Sequence, residues 1–199
     1  MNIITQNSDN VVLFAEPNIT IDSNGIYGDG WVYNGLTSST ALLTSGVTLP
    51  VGFLLGAWSY LNGTWAITNT VAVNAFVAKN LQAAQSAQVQ ILTNAYQTAI
   101  TQPVSFTSAS GVTKLFQADP QSVYNLQGIL ASYTPAGSTP SGFYWVAADN
   151  TLVPMVLSDL QGMAKLMGAQ GWAQFQHLQT LKSKVLAATT ISAVEAITF

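Results

Sequence analysis

The first seventy residues alternate short apolar runs with turn residues. Residues 11–14 form one such run, and Ile19-Thr20-Ile21 alternates before Asp22-Ser23-Asn24-Gly25. Runs of this length bounded by Asn, Asp, Ser and Gly predict strands joined by tight turns. Gly28-Asp29-Gly30-Trp31 predicts a second turn. The sharpest local signal is Ala57-Trp58-Ser59-Tyr60-Leu61, then Asn62-Gly63, then Thr64-Trp65-Ala66-Ile67. Asn-Gly between aromatic and β-branched runs predicts a two-residue hairpin, because both central positions need positive φ. Trp58, Tyr60 and Trp65 are expected to anchor its cross-strand pairs.

At residue 71 the pattern changes period. Residues 71–100 contain no Gly or Pro and are rich in Ala and Gln, which predicts a helix. Val77, Leu81, Ala84, Gln88, Leu92, Ala95 and Ala99 recur at spacings of four, three, four, four, three and four. These are the spacings of a heptad seam, broken at the polar Gln88, where two fours fall together. Two readings stand: an amphipathic helix lying on its own domain, or a stem that joins chains side by side. Three to four heptads is the lower limit for a coiled coil.

Pro103 stops this helix. Residues 104–107 and 112–116 flank Ser108-Ala109-Ser110-Gly111 and predict a second hairpin. Asp119-Pro120 predicts a helix N-cap followed by proline at the first helical position, with a helix to about residue 131 burying Val123, Leu126, Ile129 and Leu130. After a Pro/Gly/Ser loop over 135–142, residues 143–147 and 151–155 pair across Asp149-Asn150 as a third hairpin. Ser158-Asp159-Leu160-Gln161 has capping-box spacing. The helix behind it presents Leu160, Met163, Met167, Phe175, Leu178, Leu181 and Val185, with Gly168 and Gly171 as points of bending. Thr190 is expected to cap a short last helix, and Phe199 to tuck back against the core. Pro50-Val51-Gly52-Phe53 and Pro140-Ser141-Gly142-Phe143 each precede a hairpin, a shared loop-into-strand solution and not a repeat. The fold class is α+β: a small N-terminal antiparallel β-module over 1–70, a connecting helix over 71–100, and a C-terminal domain of hairpins packed on helices over 101–199.

Composition narrows the function. Charged residues are 7% of the 199, against roughly 25% in ordinary soluble domains. Apolar residues are 49%, so uncharged polar residues have filled the gap; Ser, Thr, Asn and Gln number 66. Five lysines, no arginine and a net charge of −3 exclude the basic stripe that neutralises phosphates, so no nucleic-acid partner is expected. Twenty aromatics argue against disorder. The absence of cysteine removes disulfides, thiolate metal sites and thiol nucleophiles. The most apolar window, residues 49–61, carries Pro50, Gly52 and Gly56 and falls short of the ~20 residues a spanning helix needs, so no membrane insertion is expected. No signal peptide is visible at the start. A polar but neutral surface fits either a solitary protein with a Gln-, Thr- and Asn-rich exterior or a subunit whose faces lie against partners.

Candidate chemistry is sparse. The sole histidine, His177, sits mid-helix with Asp159 its nearest carboxylate in sequence. The eight carboxylates do not cluster in sequence: Asp22, Asp29 and Asp149 fall in turns, and Asp119 and Asp159 at helix starts. No catalytic, cofactor-binding or metal-ligating residue is assigned, and no enzyme activity is expected. Trp31, Tyr33 and Trp58 are candidates for surface aromatic contact with a partner or a sugar ring, set against the ordinary role of such residues in a β core.

From residue 95 onward the chain resembles a known family. Ala95-Tyr96-Gln97, Pro103-Val104-Ser105-Phe106, Phe116-Gln117-Ala118-Asp119, Asn125-Leu126 and Gly142-Phe143-Tyr144-Trp145 resemble the DUF4376 domain of tailed bacteriophages. So do Asp149-Asn150, Pro154-Met155, Leu160-Gln161, Leu178-Gln179-Thr180-Leu181-Lys182, Ala187-Ala188-Thr189-Thr190 and Ile197-Thr198-Phe199. The order and spacing hold over roughly residues 75–199. Where the family often has Thr at the cap after Pro154, this chain has Val156, and Ser158 is expected to take the role. The resemblance implies a structural component of a phage tail, in the baseplate, collar or tail-fibre region, assembled in the host cytoplasm by protein–protein contact. Its implied partners are other tail proteins and further copies of itself, a trimer being favoured. The alternatives are a tail-fibre assembly chaperone that binds a fibre tip, and a module binding a host receptor or glycan.

Overall fold

The computed structural model describes residues 1–199, which form two compact units, residues 1–83 and 84–199. The boundary falls inside one continuous helix, Thr70–Ile100 (α1).

In the first unit the strands are Asn2–Gln6 (β1), Val12–Glu16 (β2), Thr20–Ile21 (β3), Ile26–Gly28 (β4), Trp31–Tyr33 (β5), Ala41–Thr44 (β6), Trp58–Leu61 (β7) and Thr64–Ile67 (β8). They make two three-stranded antiparallel sheets, ordered β2-β1-β6 and β3-β4-β5, and the β7–β8 hairpin. β1 is the hub. Successive side chains of a strand point to opposite faces, yet adjacent Ile3 and Ile4 are both fully buried. Ile4 packs with Ile19, Ile26 and Ala41, towards the second sheet. Ile3 packs with Val12 and Val47, backed by Tyr60 and Trp65 of the hairpin. β1 is thus covered on both faces. The register between β1 and β2 slips between Ile4 and Thr5, so that Ile4 faces Phe14 and Thr5 faces Val12.

The β7–β8 hairpin has the expected turn: Asn62 and Gly63 have φ of 51° and 85°. Tyr60 pairs directly with Trp65, their ring centroids 4.7 Å apart, and Trp58 meets Trp65 edge-on at 6.2 Å. The two Pro-x-Gly-Phe segments adopt the same turn. Phe53 and Phe143 each donate their main-chain N–H to the proline carbonyl three residues back, across Gly52 and Gly142 at positive φ.

The second unit contains the rest of α1, then Val104–Thr107 (β9), Thr113–Phe116 (β10), Pro120–Tyr133 (α2), Tyr144–Val146 (β11), Leu152–Pro154 (β12), Leu157–Ala187 (α3) and Ile191–Glu195 (α4). Two hairpins, β9–β10 and β11–β12, cover the α2 and α3 helices around Phe116, Leu126, Val153, Leu160 and Met163. The Asp119 carboxylate caps α2, accepting from the N–H groups of Gln121 and Ser122, with Pro120 following as expected. Of the predicted α2 core residues, Leu126 is buried and Val123, Ile129 and Leu130 pack around it half-covered.

Two local expectations are corrected. Ser158 does not cap α3, which already begins at Leu157; Val156 stands at the cap and has no side-chain oxygen to offer. Asp159 acts there instead, reaching back to accept the Val156 N–H at 3.0 Å. Phe175 is not core: it is 40% exposed and stacked on Trp172, one helical turn earlier. Gly168 and Gly171 lie inside α3, which runs unbroken for 31 residues.

The double-faced burial of β1 predicts a stability signature. Ile3→Ala and Ile4→Ala should each cost about 2–5 kcal/mol, whereas Leu42→Ala, at a position 58% exposed, should change stability by less than about 0.5 kcal/mol. Urea unfolding of the three variants reads the contrast; equal small losses at Ile3 and Ile4 would refute the central placement of β1.

Candidate functional site

The predicted seam is occupied within the chain over its second half. Val77 is exposed, Leu81, Ala84, Ala95 and Ala99 are half-buried, and Gln88 and Leu92 are buried. Gln88, the polar break, donates its side-chain amide to the Ile197 carbonyl at 2.6 Å. Gln85 donates to the carbonyls of Val185, Leu186 and Ala188, which end α3. Gln170 of α3 donates to the carbonyls of Ala99, Ile100 and Gln102, which end α1. The last carbonyls of a helix lack intrahelical partners. Each of these two helices therefore has its C-terminus capped by a glutamine of the other.

The two clips also fix a register. Gln85 and Ile100 are 15 residues apart on α1, and Gln170 and Val185 are 15 apart on α3. At ~1.5 Å per residue the clips lie roughly 22 Å apart along an antiparallel pair. Neither helix can slide by a turn without losing both. Phe199 folds back onto α3, its ring 5.0 Å from and edge-on to that of the exposed His177.

The surface aromatics divide. Trp31 is half-buried and stacked on Phe14 at 5.3 Å, and Tyr33 is 45% exposed beside the same ring. Trp58 is not on the surface. It is buried with Ala57 and Val73, and its indole N–H has no partner. Burial of the large ring in that cluster outweighs the one unmade hydrogen bond.

Most carboxylates are spent on local backbone. Asp9 accepts the Val11 N–H, Asp22 those of Asn24 and Gly25, and Asp149 that of Thr151. Asp29 accepts the side-chain amide of Asn18. Asp149 also meets the Lys114 ammonium at 2.7 Å, which holds its carboxyl well below the usual range. The Ser122 hydroxyl and the α2 N-terminus lower Asp119 in the same sense. Asp159 differs in being buried. Besides Val156 it accepts the Ala109 N–H at 2.8 Å, tying the β9–β10 turn to the start of α3. No three His, Asp or Glu side chains converge as a metal site would require.

What the surface does offer is an uncharged cleft of about 450 Å³ between α2 and β11. Gln117, Ser122, Asn125 and Ile129 line one side, and Tyr144 and Val146 the other. Sequence reasoning missed this cleft and the glutamine clips alike. The cleft depends on which strand edges stay unpaired, and the clips on partners 68 to 103 residues away.

Two measurements check these assignments. Asp159→Ala should destabilise the protein by about 2–3 kcal/mol through loss of charge-assisted bonds, with faster amide exchange at Ala109; unchanged exchange there would contradict the tie. A depressed carboxylate stabilises above its unfolded pKa, about 3.9, and that contribution is lost as pH falls through the lower folded value. In Lys114→Met the Asp149 midpoint, read by carboxyl NMR, should therefore rise, and its share of acid stability should be lost at higher pH.

No curated protein and no solved structure matches the chain. The family model of DUF4376, described as a domain of unknown function, matches residues 81–198, nearly the whole of the second compact unit. With that match covering more than half its length, the chain belongs to the DUF4376 family.

Proposed function

We propose that the protein is a structural component of a bacteriophage tail, in the baseplate, collar or tail-fibre region, acting by protein–protein assembly without catalysis. The observation that carries this reading is an exposed surface rich in apolar side chains and poor in charge. Tyr124, Leu186 and Trp172 are 71%, 69% and 60% exposed in the second unit. In a chain with 7% charged residues, little ionic surface is left to keep such side chains apart from other proteins. The carboxylates point the same way, since most are engaged in turns, caps and one ion pair. The phage setting rests on the resemblance of the DUF4376 segment to tail proteins.

Mass spectrometry of purified virions tests the proposal: the protein should be present in fixed copy number with the tail proteins. Its absence from mature particles, with presence in infected cells, would overturn the reading in favour of an assembly chaperone.

Self-association is part of the proposal, with a trimer favoured. Because Leu92 is fully buried within the chain, Leu92→Asp should unfold the second unit, detected by circular dichroism. A folded Leu92→Asp variant that had lost only its oligomeric state would return the seam to the role of a stem.

A further inference from the structure

The β11–β12 hairpin has one blunted edge and one open edge. Met155 donates its N–H to the Phe143 carbonyl, and Ala147 donates to Thr151. With Trp145 opposite Val153, these bonds make 143, 145 and 147 the positions whose main chain faces β12. Tyr144 and Val146 therefore turn their N–H and C=O groups away from β12, and neither group has a partner in the chain. On the far edge of β12 the corresponding positions are Leu152 and Pro154. Proline has no N–H to offer, a usual way to close an edge.

The next residue in the open series shows what this edge can do. Ala148 donates its N–H to the Leu115 carbonyl of β10 at 2.8 Å. The two hairpins therefore meet edge to edge at that point. Beyond it the chain after β10 leads into Gln117 and α2, and the cleft of about 450 Å³ opens beside Tyr144 and Val146. A sheet edge that starts to pair and then parts leaves room for a strand from elsewhere.

We propose that this edge takes an extended, uncharged peptide segment of a partner chain, which adds to β11 as a strand. Tyr144 and Val146 would exchange up to four main-chain hydrogen bonds with it, at the two-residue spacing of a strand. The cleft's polar side chains, Gln117, Ser122 and Asn125, are neutral. At the meeting point of the hairpins, Lys114 and Asp149 neutralise each other. A charged residue of the segment seated in the cleft would lose water without gaining a counter-charge, so the complementary segment carries none there. The inference holds for a partner chain in any setting and does not rest on the phage reading.

The probe is a displayed library of random nonapeptides lacking Asp, Glu, Lys and Arg, panned on the full-length protein. In the complex with a recovered peptide, amide exchange at Tyr144 and Val146 should slow by about tenfold or more. N-methylation of alternate peptide residues should weaken binding by about tenfold or more in one register and little in the other. Val146→Pro should weaken it comparably, and Val146→Thr should preserve it. The N-methylated peptides give the same answer should Val146→Pro fail to fold. The proposal is overturned by a panning that enriches nothing, or by peptides that leave exchange at both amides unchanged. It is also overturned by dimerisation of the free protein that protects the same two amides, which would assign the edge to a second copy of the chain.

Discussion

The arrangement of the second unit depends on how two long helices end in a chain with almost no cations. The final carbonyls of a helix need donors, and a lysine or arginine in the last turn is the common supply. α1 has no basic residue in its last turn, while α3 has Lys184 there. The side-chain amide of Gln170 serves those carbonyls, and Gln85 does the same for α3. A neutral amide brings a directional donor without the cost of desolvating a charge. Equal spacing of the clips on both helices turns a capping device into a register device. Leu92 is buried between them along α1, and α4 is held by Gln88 through Ile197.

The N-terminal end of α3 uses the opposite chemistry. There the chain buries one of its few charges, Asp159, where the helix dipole favours an anion. The cap position holds valine, so the third helical residue reaches back and completes only the carboxylate half of a capping box. Its other oxygen holds the Ala109 N–H, which brings the β9–β10 turn onto the helix that carries Leu160 and Met163. One carboxylate thus positions a hairpin over the core, and its burial is tolerated because both oxygens accept bonds from the backbone.

The parts of this fold legible in sequence are those decided by neighbours within a few residues. Asn62-Gly63, Asp119-Pro120 and Asn150 each dictate a local backbone conformation, and all three formed where expected. The strands, the long helices and the stops at Pro103 follow from period and breakers in the same way. Ser158 misled because the spacing of a capping box fits more than one start, and the deciding contact, Ala109, is 50 residues away. Phe175 is apolar yet faces outward, stacked on Trp172 one turn earlier, and apolar character alone does not give a side chain's direction. For the seam, spacing alone left two partners open, the chain itself or a copy. Gln85 and Gln170 decided its second half, and glutamine carries no local signal of what it will cap.

A surface this poor in charge also sets how the protein can meet others. Electrostatic steering raises association rates and makes them fall with salt. With 5 lysines, two of them close together at the end of α3, and carboxylates largely committed to turns, no broad field of one sign can form. Recognition must then come from shape, apolar contact and main-chain or amide hydrogen bonds, which are short-ranged and nearly indifferent to ionic strength. Association by such contacts is slow to find its partner and selective once in place. Proteins that meet briefly in dilute solution are poorly served by that combination. Subunits that are made together, joined once and kept joined are served well by it.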